Sequence, residues 1–476
     1  MSKNAFFLLF GTAAFLSGCT MAPKYTRPEA PVPVDWPSGA AYAESGAATN
    51  APAIPDLGWR EFFTDEKLRQ VIGAALTNNL DLRVAALNVE LARAQYGIQR
   101  AGLFPTLNAN GSGSKERVPA DLSTTGSRQT SKRYDANFGA ASWEIDFFGR
   151  IRSLKDKALE EYLATEQGHR SAHIALISSV AGAYLALAAD RESLRLAETT
   201  LKAQQDAYAL IRRRYDIGIV TELDLYQAQT QVDTARGDVA AFSKQVAQDE
   251  NALNLLAGSP VPDGLLPKLL EDVTPPQDIR AGVFSEALLR RPDVVQSEGA
   301  LKAAHANIGA ARAAFFPRIS LTAALGTASS DLSDLFKGGQ GTWSYSPQIV
   351  APVFDARTWS AFKAAKVQRE MAVAQYQKAI QSAFREVADE LAARGTVDRQ
   401  VSAQESFVHA VSETHRLSSS RYDKGIDSYL SVLDAQRSLY GAQQGLVSLR
   451  LAKLANQVRL YAVLGGGWHE ETLANR

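Results

Sequence analysis

Apolar residues recur along this chain with two periods, two in some stretches and an average of three and a half in others. Ile319, Leu321, Ala323 and Leu325 alternate with Arg318, Ser320, Thr322 and Gly326. Trp343, Tyr345, Ile349, Ala351 and Val353 share one parity, opposite Ser344, Ser346 and Gln348. A period of two belongs to strands whose two faces differ in polarity. An earlier pair is weaker: Thr106 to Gly113 is polar, while Tyr134 to Phe147 carries Phe138, Trp143, Ile145 and Phe147. Segments 114–132 and 327–341, rich in Ser, Thr, Gly, Asp and Lys, read as the external loops of two hairpins.

The longer period is a heptad. Leu194, Ala197, Leu201, Gln204, Tyr208, Ile211 and Tyr215 fall at alternating steps of three and four. After a turn at Asp216-Ile217-Gly218 the seam resumes with Leu225, Ala228, Val232, Ala235, Val239, Phe242 and Val246. Val401, Val408, Val411 and Tyr422, then Val432, Ala435, Leu439, Ala442, Leu446 and Leu449, repeat it. Such spacing is that of coiled coils, and its alanines let helices approach closely. Ile151 to Tyr215 holds no Pro and only Gly168 and Gly182, which predicts one helix on the order of 100 Å long.

These patterns are duplicated. Asp81-Leu82 and Phe104-Pro105 recur 212 positions on as Asp293-Val294 and Phe316-Pro317. Arg214-Tyr215-Asp216 with Gly218 recurs 207 positions on as Arg421-Tyr422-Asp423 with Gly425, as Ala228-Gln229 does at Ala435-Gln436. The change of offset places five extra residues between 105 and 150 of the first copy, where an exposed loop tolerates them. Each copy reads as helix, two strands and a long helical hairpin. The implied organisation is a signal peptide (1–18), an extended segment (19–60), a first repeat (61–265), a linker (266–285), a second repeat (286–468) and a tail (469–476).

Composition narrows the setting. Lys+Arg and Asp+Glu both total 51, so nothing favours nucleic acid, which needs a concentrated basic face. No run reaches the ~18 apolar residues of a membrane helix, so a membrane crossing would have to be a closed barrel. Closure begins at ~8 strands; four per chain therefore require several copies. Lys3 and the apolar stretch Ala5 to Ser17 have the form of a secretory signal. It ends in Leu16-Ser17-Gly18-Cys19, which resembles the bacterial lipoprotein box and implies acylation of Cys19, the sole cysteine. Thr20 in place of Asp implies outer-membrane sorting by the same resemblance. The Pro- and Ala-rich run that follows, to about 57, reads as a tether laid over the surface.

Trp59-Arg60-Glu61-Phe62-Phe63, Asn78-Asn79-Leu80-Asp81-Leu82-Arg83 and Trp143-Glu144-Ile145-Asp146-Phe147-Phe148-Gly149-Arg150 carry a resemblance over nearly all of the mature chain. So do Arg421-Tyr422-Asp423-Lys424-Gly425, Leu433-Asp434-Ala435-Gln436-Arg437 and Leu464-Gly465-Gly466-Gly467-Trp468. The chain resembles the TolC-like outer-membrane efflux factors, in their OprM-like lipoprotein branch. The resemblance implies a homotrimer: a 12-strand transmembrane β-barrel continuous with a 12-helix coiled-coil α-barrel. It implies an exit duct for substrates such as drugs, docked on a periplasmic adaptor (membrane fusion protein) and an RND inner-membrane transporter. The anchor would lie in outer-membrane lipid, and no cofactor beyond the covalent lipid is implied.

The same resemblance places a periplasmic gate at the start of the last long helix, with Leu430 as its apolar ring and Asp434 as its acidic ring. Three copies of Asp434 near an axis would repel one another, raising their proton affinity and favouring a cation. Asp224 matches a carboxylate that tethers neighbouring helices, and Tyr422 matches a gate-linked tyrosine. A latch arginine of some members aligns with Asp427 here, and their second acidic ring with Ser431, so only the Leu430–Asp434 pair carries over well. Arg214, Asp216, Gly218, Arg421, Asp423 and Gly425 mark the tips that adaptors would grip.

Catalytic chemistry is not indicated. His169 and His173 have i, i+4 spacing, but Arg170 stands where a zinc peptidase needs Glu. His415 falls on the heptad seam, and the Gly-rich pieces near 111–113 and 338–341 lack a phosphate loop's Lys-Ser/Thr. Two other readings share parts of the pattern: a type I protein-secretion channel, which usually lacks an acyl anchor, and a lipid-anchored trimeric stalk, which needs no lumen.

Overall fold

The computed structural model describes residues 20–42, 57–279 and 285–470; the signal peptide, Cys19 and residues 471–476 lie outside the described residues. Helices α1 (Trp59–Phe62) and α2 (Glu66–Asn78) come first. The first copy continues with α3 (Leu80–Ala101), β1 (Leu107–Val118), β2 (Gln129–Ile145), α4 (Arg150–Asp216) and α5 (Glu222–Ala257). The second repeats it as α6 (Pro292–Ala313), β3 (Arg318–Ser329), β4 (Gly341–Val350), α7 (Ala356–Asp423) and α8 (Tyr429–Val463). Helices α4 and α7 run unbroken for 67 and 68 residues. The chain forms two compact units, and each draws on both repeats because α3, α4, α6 and α7 pass through both.

The first unit (described residues 20–29, 88–165 and 296–376) contains one antiparallel sheet in the order β1-β2-β3-β4. Its register sorts side chains by polarity. Leu107, Ala140, Ala323 and Tyr345 form one rank, and Ala109, Phe138, Leu325 and Trp343 the next. Between them lies the rank Asn108, Gly139, Ala324 and Ser344, and beyond them Asn110, Asn137, Gly326 and Thr342. Phe138 and Trp143 differ in parity along the sequence. A bulge between Ala140 and Trp143, with Ser142 at φ 54, returns both to the apolar face.

Several strand limits differ from the sequence expectation. Ser114–Val118, Gln129–Lys132 and Thr327–Ser329, expected in loops, pair as strand, because a ladder is made by backbone groups that polar side chains leave free. Strand β4 stops at Val350, so Ala351 and Val353 lie beyond it; Pro352 has no N–H to extend the ladder.

In the same unit, the segment after Cys19 lies along α6. The Glu298 carboxylate, nearly fully buried, accepts from Arg27 Nε at 3.0 Å, Arg27 Nη2 at 2.7 Å and the Tyr25 hydroxyl at 2.9 Å. Residues 20–42 form no helix.

The second unit (described residues 30–42, 57–87, 166–279, 285–295 and 377–470) buries Trp59, Phe62, Phe63, Leu68 and Ile72. Phe62 stacks on Tyr461 at 3.9 Å, and the Tyr461 hydroxyl donates to Leu57 O at 2.6 Å. Here one expectation needs correcting. Helix α4 holds an 18-residue window of mean hydropathy 1.7, apolar enough by length and composition to cross a membrane. That apolarity belongs to the core instead: Ile177, Val180, Ala181, Tyr184 and Leu187 are buried.

Candidate functional site: the helical tips

Both long hairpins turn in the same way, and the duplicated glycines are the reason. Gly218 and Gly425 have φ of 77 and 72, a region that costs other residues about 1 kcal/mol or more. Gly218 N donates to Tyr215 O at 2.8 Å and Ile219 N to Arg214 O at 2.9 Å. At the other tip Gly425 N donates to Tyr422 O and Ile426 N to Arg421 O, each at 2.9 Å. This Schellman pairing satisfies the last carbonyls of α4 and α7 and lets the chain reverse within a few residues. Helix α5 then starts on a capping box: Thr221 Oγ1 accepts from Asp224 N, and the Asp224 carboxylate accepts from Thr221 N at 2.9 Å and its hydroxyl at 2.7 Å. Asp224 thus caps its own helix.

An apolar cluster joins the two hairpins just behind the tips. Ile211, Ala228, Tyr429, Val432 and Leu433 are buried in it, with Tyr208, Val220, Leu225 and Tyr422 packed against them. The Tyr422 and Tyr429 rings meet at 5.3 Å. Burial, then the neighbouring Tyr422 and Asp224, push the Tyr429 phenol up to about 12. Because Tyr429, Val432 and Leu433 turn inward, Leu430 and Asp434, one turn apart, are left on the opposite, exposed face of α8. Arg437 stands beside Asp434 at 3.8 Å and supplies a countercharge for the expected acidic ring.

Charge also links the tips. Arg214 approaches the Asp423 carboxylate at 4.0 Å and lies over the Tyr422 ring at 5.4 Å, which ties the end of α4 to the end of α7. Arg421 pairs with Asp427 across the second turn. Asp216, the last residue of α4, is exposed. Sequence reasoning missed the Arg421–Asp427 pair and Tyr429. It also missed exposed Ile217, Ile219, Leu223, Tyr226 and Ile426, which surround the turns. Their signal was present: isoleucine occupies turn positions where polar residues are usual.

A sheet with one apolar and one polar face, joined by sequence to tightly turned helical hairpins, defines a channel-forming protein of the outer membrane. The profile for "Outer membrane efflux protein" matches residues 71–259 and 283–466. The chain is 49% identical over 462 residues to a Pseudomonas putida protein named as the probable efflux pump outer membrane protein TtgC, covering 97% of this chain and 95% of that one. A crystal structure of a membrane protein from Pseudomonas aeruginosa matches with TM-score 0.88 at 39% identity, over 95% of this chain and 98% of its own. The open state of the Neisseria gonorrhoeae MtrE outer membrane channel matches with TM-score 0.85 at 37% identity, over 95% and 100%. The chain belongs to the outer membrane efflux protein family and is an outer-membrane efflux channel.

Proposed function

We propose that three copies close a 12-strand barrel and a 12-helix tunnel, gated at the helical tips by rings of Leu430 and Asp434. The assembly would be the passive exit duct of a tripartite pump, fed with substrates such as drugs through a periplasmic adaptor and an RND inner-membrane transporter. Acyl chains on Cys19 would hold it in outer-membrane lipid, each buried methylene contributing ~0.8 kcal/mol. The observation that carries the reading is the two-faced sheet with open edges at β1 and β4. Trp343, 83% exposed, and Ile349 suit acyl chains, while Asn110, Asn137 and Ser344 suit a wet lumen. Leu430 and Asp434, uncovered by their own chain, suit a constriction formed between copies.

The test is single-channel conductance of the acylated protein in a planar bilayer, wild type beside Leu430→Ala/Asp434→Ala. Small, flickering wild-type currents and larger, steady variant currents are expected. Equal large currents would remove the gate from these residues, and no current in either form would favour the stalk.

A further inference from the structure

The apolar face of the sheet ends in positive charge. Beyond the rank of Phe138 and Trp343, that face continues to the rank of Gly113, Tyr134 and Ser329. The next rank sets Lys115 directly opposite Lys132, and Arg117 opposite Thr130 follows. All three cations are exposed, and the strand period puts them on the same face as Phe138. Their height can be placed. Ile319 pairs with Ile145 and Ser329 with Tyr134, ten residues apart on β3. At ~3.3 Å per residue and a tilt of ~40°, that span is ~25 Å high, the apolar band of an outer-membrane barrel. The hairpin loops lie at this end and the helices at the other. Tyr134 therefore marks the outer interface, and the three cations stand just beyond it, at headgroup level.

Within the protein alone this arrangement is unfavourable. Directly opposed side chains have Cβ atoms ~5 Å apart, so two ammonium groups there repel one another. Asp331, 3.4 Å from Lys132, answers one charge. Lys115 and Arg117 have no carboxylate partner among the described residues. The polar face of the same ribbon treats charge differently. There Arg133 donates Nε to Asp135 Oδ2 at 2.9 Å and Nη2 to Oδ1 at 2.8 Å, so its charge is answered within its own strand. Charge is left uncompensated only on the side that turns to lipid.

We infer that Lys115, Lys132 and Arg117 bind the phosphate groups of lipid headgroups in the outer leaflet, and that a lipid carrying two phosphates fits best. This rests on the barrel proposed above and names the lipid group that the barrel holds. A lipid is the occupant because the cations continue the apolar face: its acyl chains would cover Tyr134, Phe138 and Trp343 while its phosphates meet the charges. Inorganic phosphate would satisfy the charges alone. Two phosphates match the two cations that Asp331 leaves unanswered.

The experiment titrates a bisphosphorylated glycolipid into the full acylated protein in a neutral detergent and counts bound lipid by native mass spectrometry. Phosphatidylglycerol should bind more weakly, and neither phosphatidylcholine nor inorganic phosphate should displace the glycolipid. A basic residue near an anionic surface is worth about fivefold in affinity, so Lys115→Gln/Arg117→Gln should weaken binding about 25-fold. Arg133→Gln/Asp135→Asn, on the polar face, should leave it unchanged. Equal binding by wild type and Lys115→Gln/Arg117→Gln overturns the site. Displacement by inorganic phosphate overturns the lipid as its occupant, and equally tight phosphatidylglycerol overturns the fit to two phosphates. Conductance of the same preparations separates this inference from the barrel: conducting protein whose variants all bind alike overturns the site only, whereas protein that never conducts overturns both. Heat resistance gives a second readout. Lys115→Gln should raise it in lipid-free protein, because the opposed pair is gone, and reduce the further gain that the glycolipid gives. A fall without lipid would show that Lys115 supports the sheet itself, and would overturn the proposal.

Discussion

Arg421 holds the Asp427 carboxylate by two hydrogen bonds, Nε to Oδ2 at 2.6 Å and Nη2 to Oδ1 at 3.0 Å, spanning the turn that precedes α8. The pair is exposed, so salt and water screen it. Its hydrogen bonds, and then its charge, hold the Asp427 carboxyl below the usual carboxylate range. A carboxyl depressed in the folded state adds stability at pH above its ordinary value of about 3.9, and loses it as pH falls further. With the gate at the tips, as proposed, Asp427→Asn should raise open probability at neutral pH and low salt. The difference from wild type should shrink at high salt, and wild type should approach the variant only below about pH 4. Bilayer recordings across pH and salt check this; a salt-independent difference would mean the pair does not act through charge.

The cluster behind the tips carries more energy. Leu433 is 1% exposed and belongs to a cluster that draws on both hairpins. Leu433→Ala should cost about 3 kcal/mol, within the usual range for a buried leucine, and the loss should fall on the tips. Hydrogen exchange should speed up in 205–235 and 420–440 while the helical middle stays protected. A uniform change along α8 would show that the cluster is not a separate local unit.

Much of this was legible in the sequence because it is periodic. The heptad residues Ala197, Ile211, Ala228, Val232 and Ala442 are all buried, and the duplicated Gly218 and Gly425 make the same turn. The seam fades where it nears the tips: Tyr215, at a heptad position, is exposed. Strand limits were less legible. Ladder hydrogen bonds say nothing through side chains, so Ser114–Val118 looked like a loop, and a bulge at Ser142 hid the parity of β2. At the tips, Leu430 and Asp434 are exposed near the start of α8. The Asp224 cap and the Arg421–Asp427 pair were hidden because each depends on how a turn of few residues is closed, which periodicity does not record.

His173 gives the second unit a pH response. Its ring packs on Trp468 at 5.4 Å, and burial, then neighbouring His169, lowers its pKa from the ordinary value of about 6.5. Arg170 lies over the same Trp468 ring at 4.9 Å, so another cation there is opposed. A histidine depressed in the folded state stabilises above about pH 6.5, and that contribution is lost as pH falls through and below it. Protection of 464–470 against hydrogen exchange, relative to the intrinsic rate at each pH, should fall as pH drops below about 6.5, and His173→Gln should flatten the dependence. An unchanged profile in the variant would assign the response to another group.

Gly139 on β2 pairs with Ala324, and Gly326 on β3 pairs with Asn137. A Cβ on Gly139 would stand 2.1 Å from Ala323 O, and one on Gly326 would stand 2.1 Å from Ala136 O. Either alanine must push the strands apart at backbone level. Gly139→Ala and Gly326→Ala should each lower the yield of heat-modifiable assembled protein in the outer membrane, whereas Gly113→Ala, which meets only the Tyr134 ring, should be tolerated. Equal assembly of all three would show that the sheet shifts to make room.

The Arg27–Glu298 pair ties residues 20–29 to α6. Burial alone would raise the Glu298 carboxyl, but hydrogen bonds from Arg27 and Tyr25 hold it below the usual range. Removing Arg27 leaves the buried carboxylate with Tyr25 and the more distant Lys302 at 3.6 Å. Breaking a fully buried pair costs about 3–5 kcal/mol; because Arg27 is half exposed, Arg27→Ala should cost less, about 1–2 kcal/mol. The loss should appear as protease access to residues 20–29, with the helices intact. Arg27→Ala/Glu298→Gln should recover part of it, since no unpaired charge then remains buried. If the single and double variants are cleaved alike, the segment is held by its other contacts, such as Tyr25 on His305 at 5.4 Å, and the ion pair contributes little.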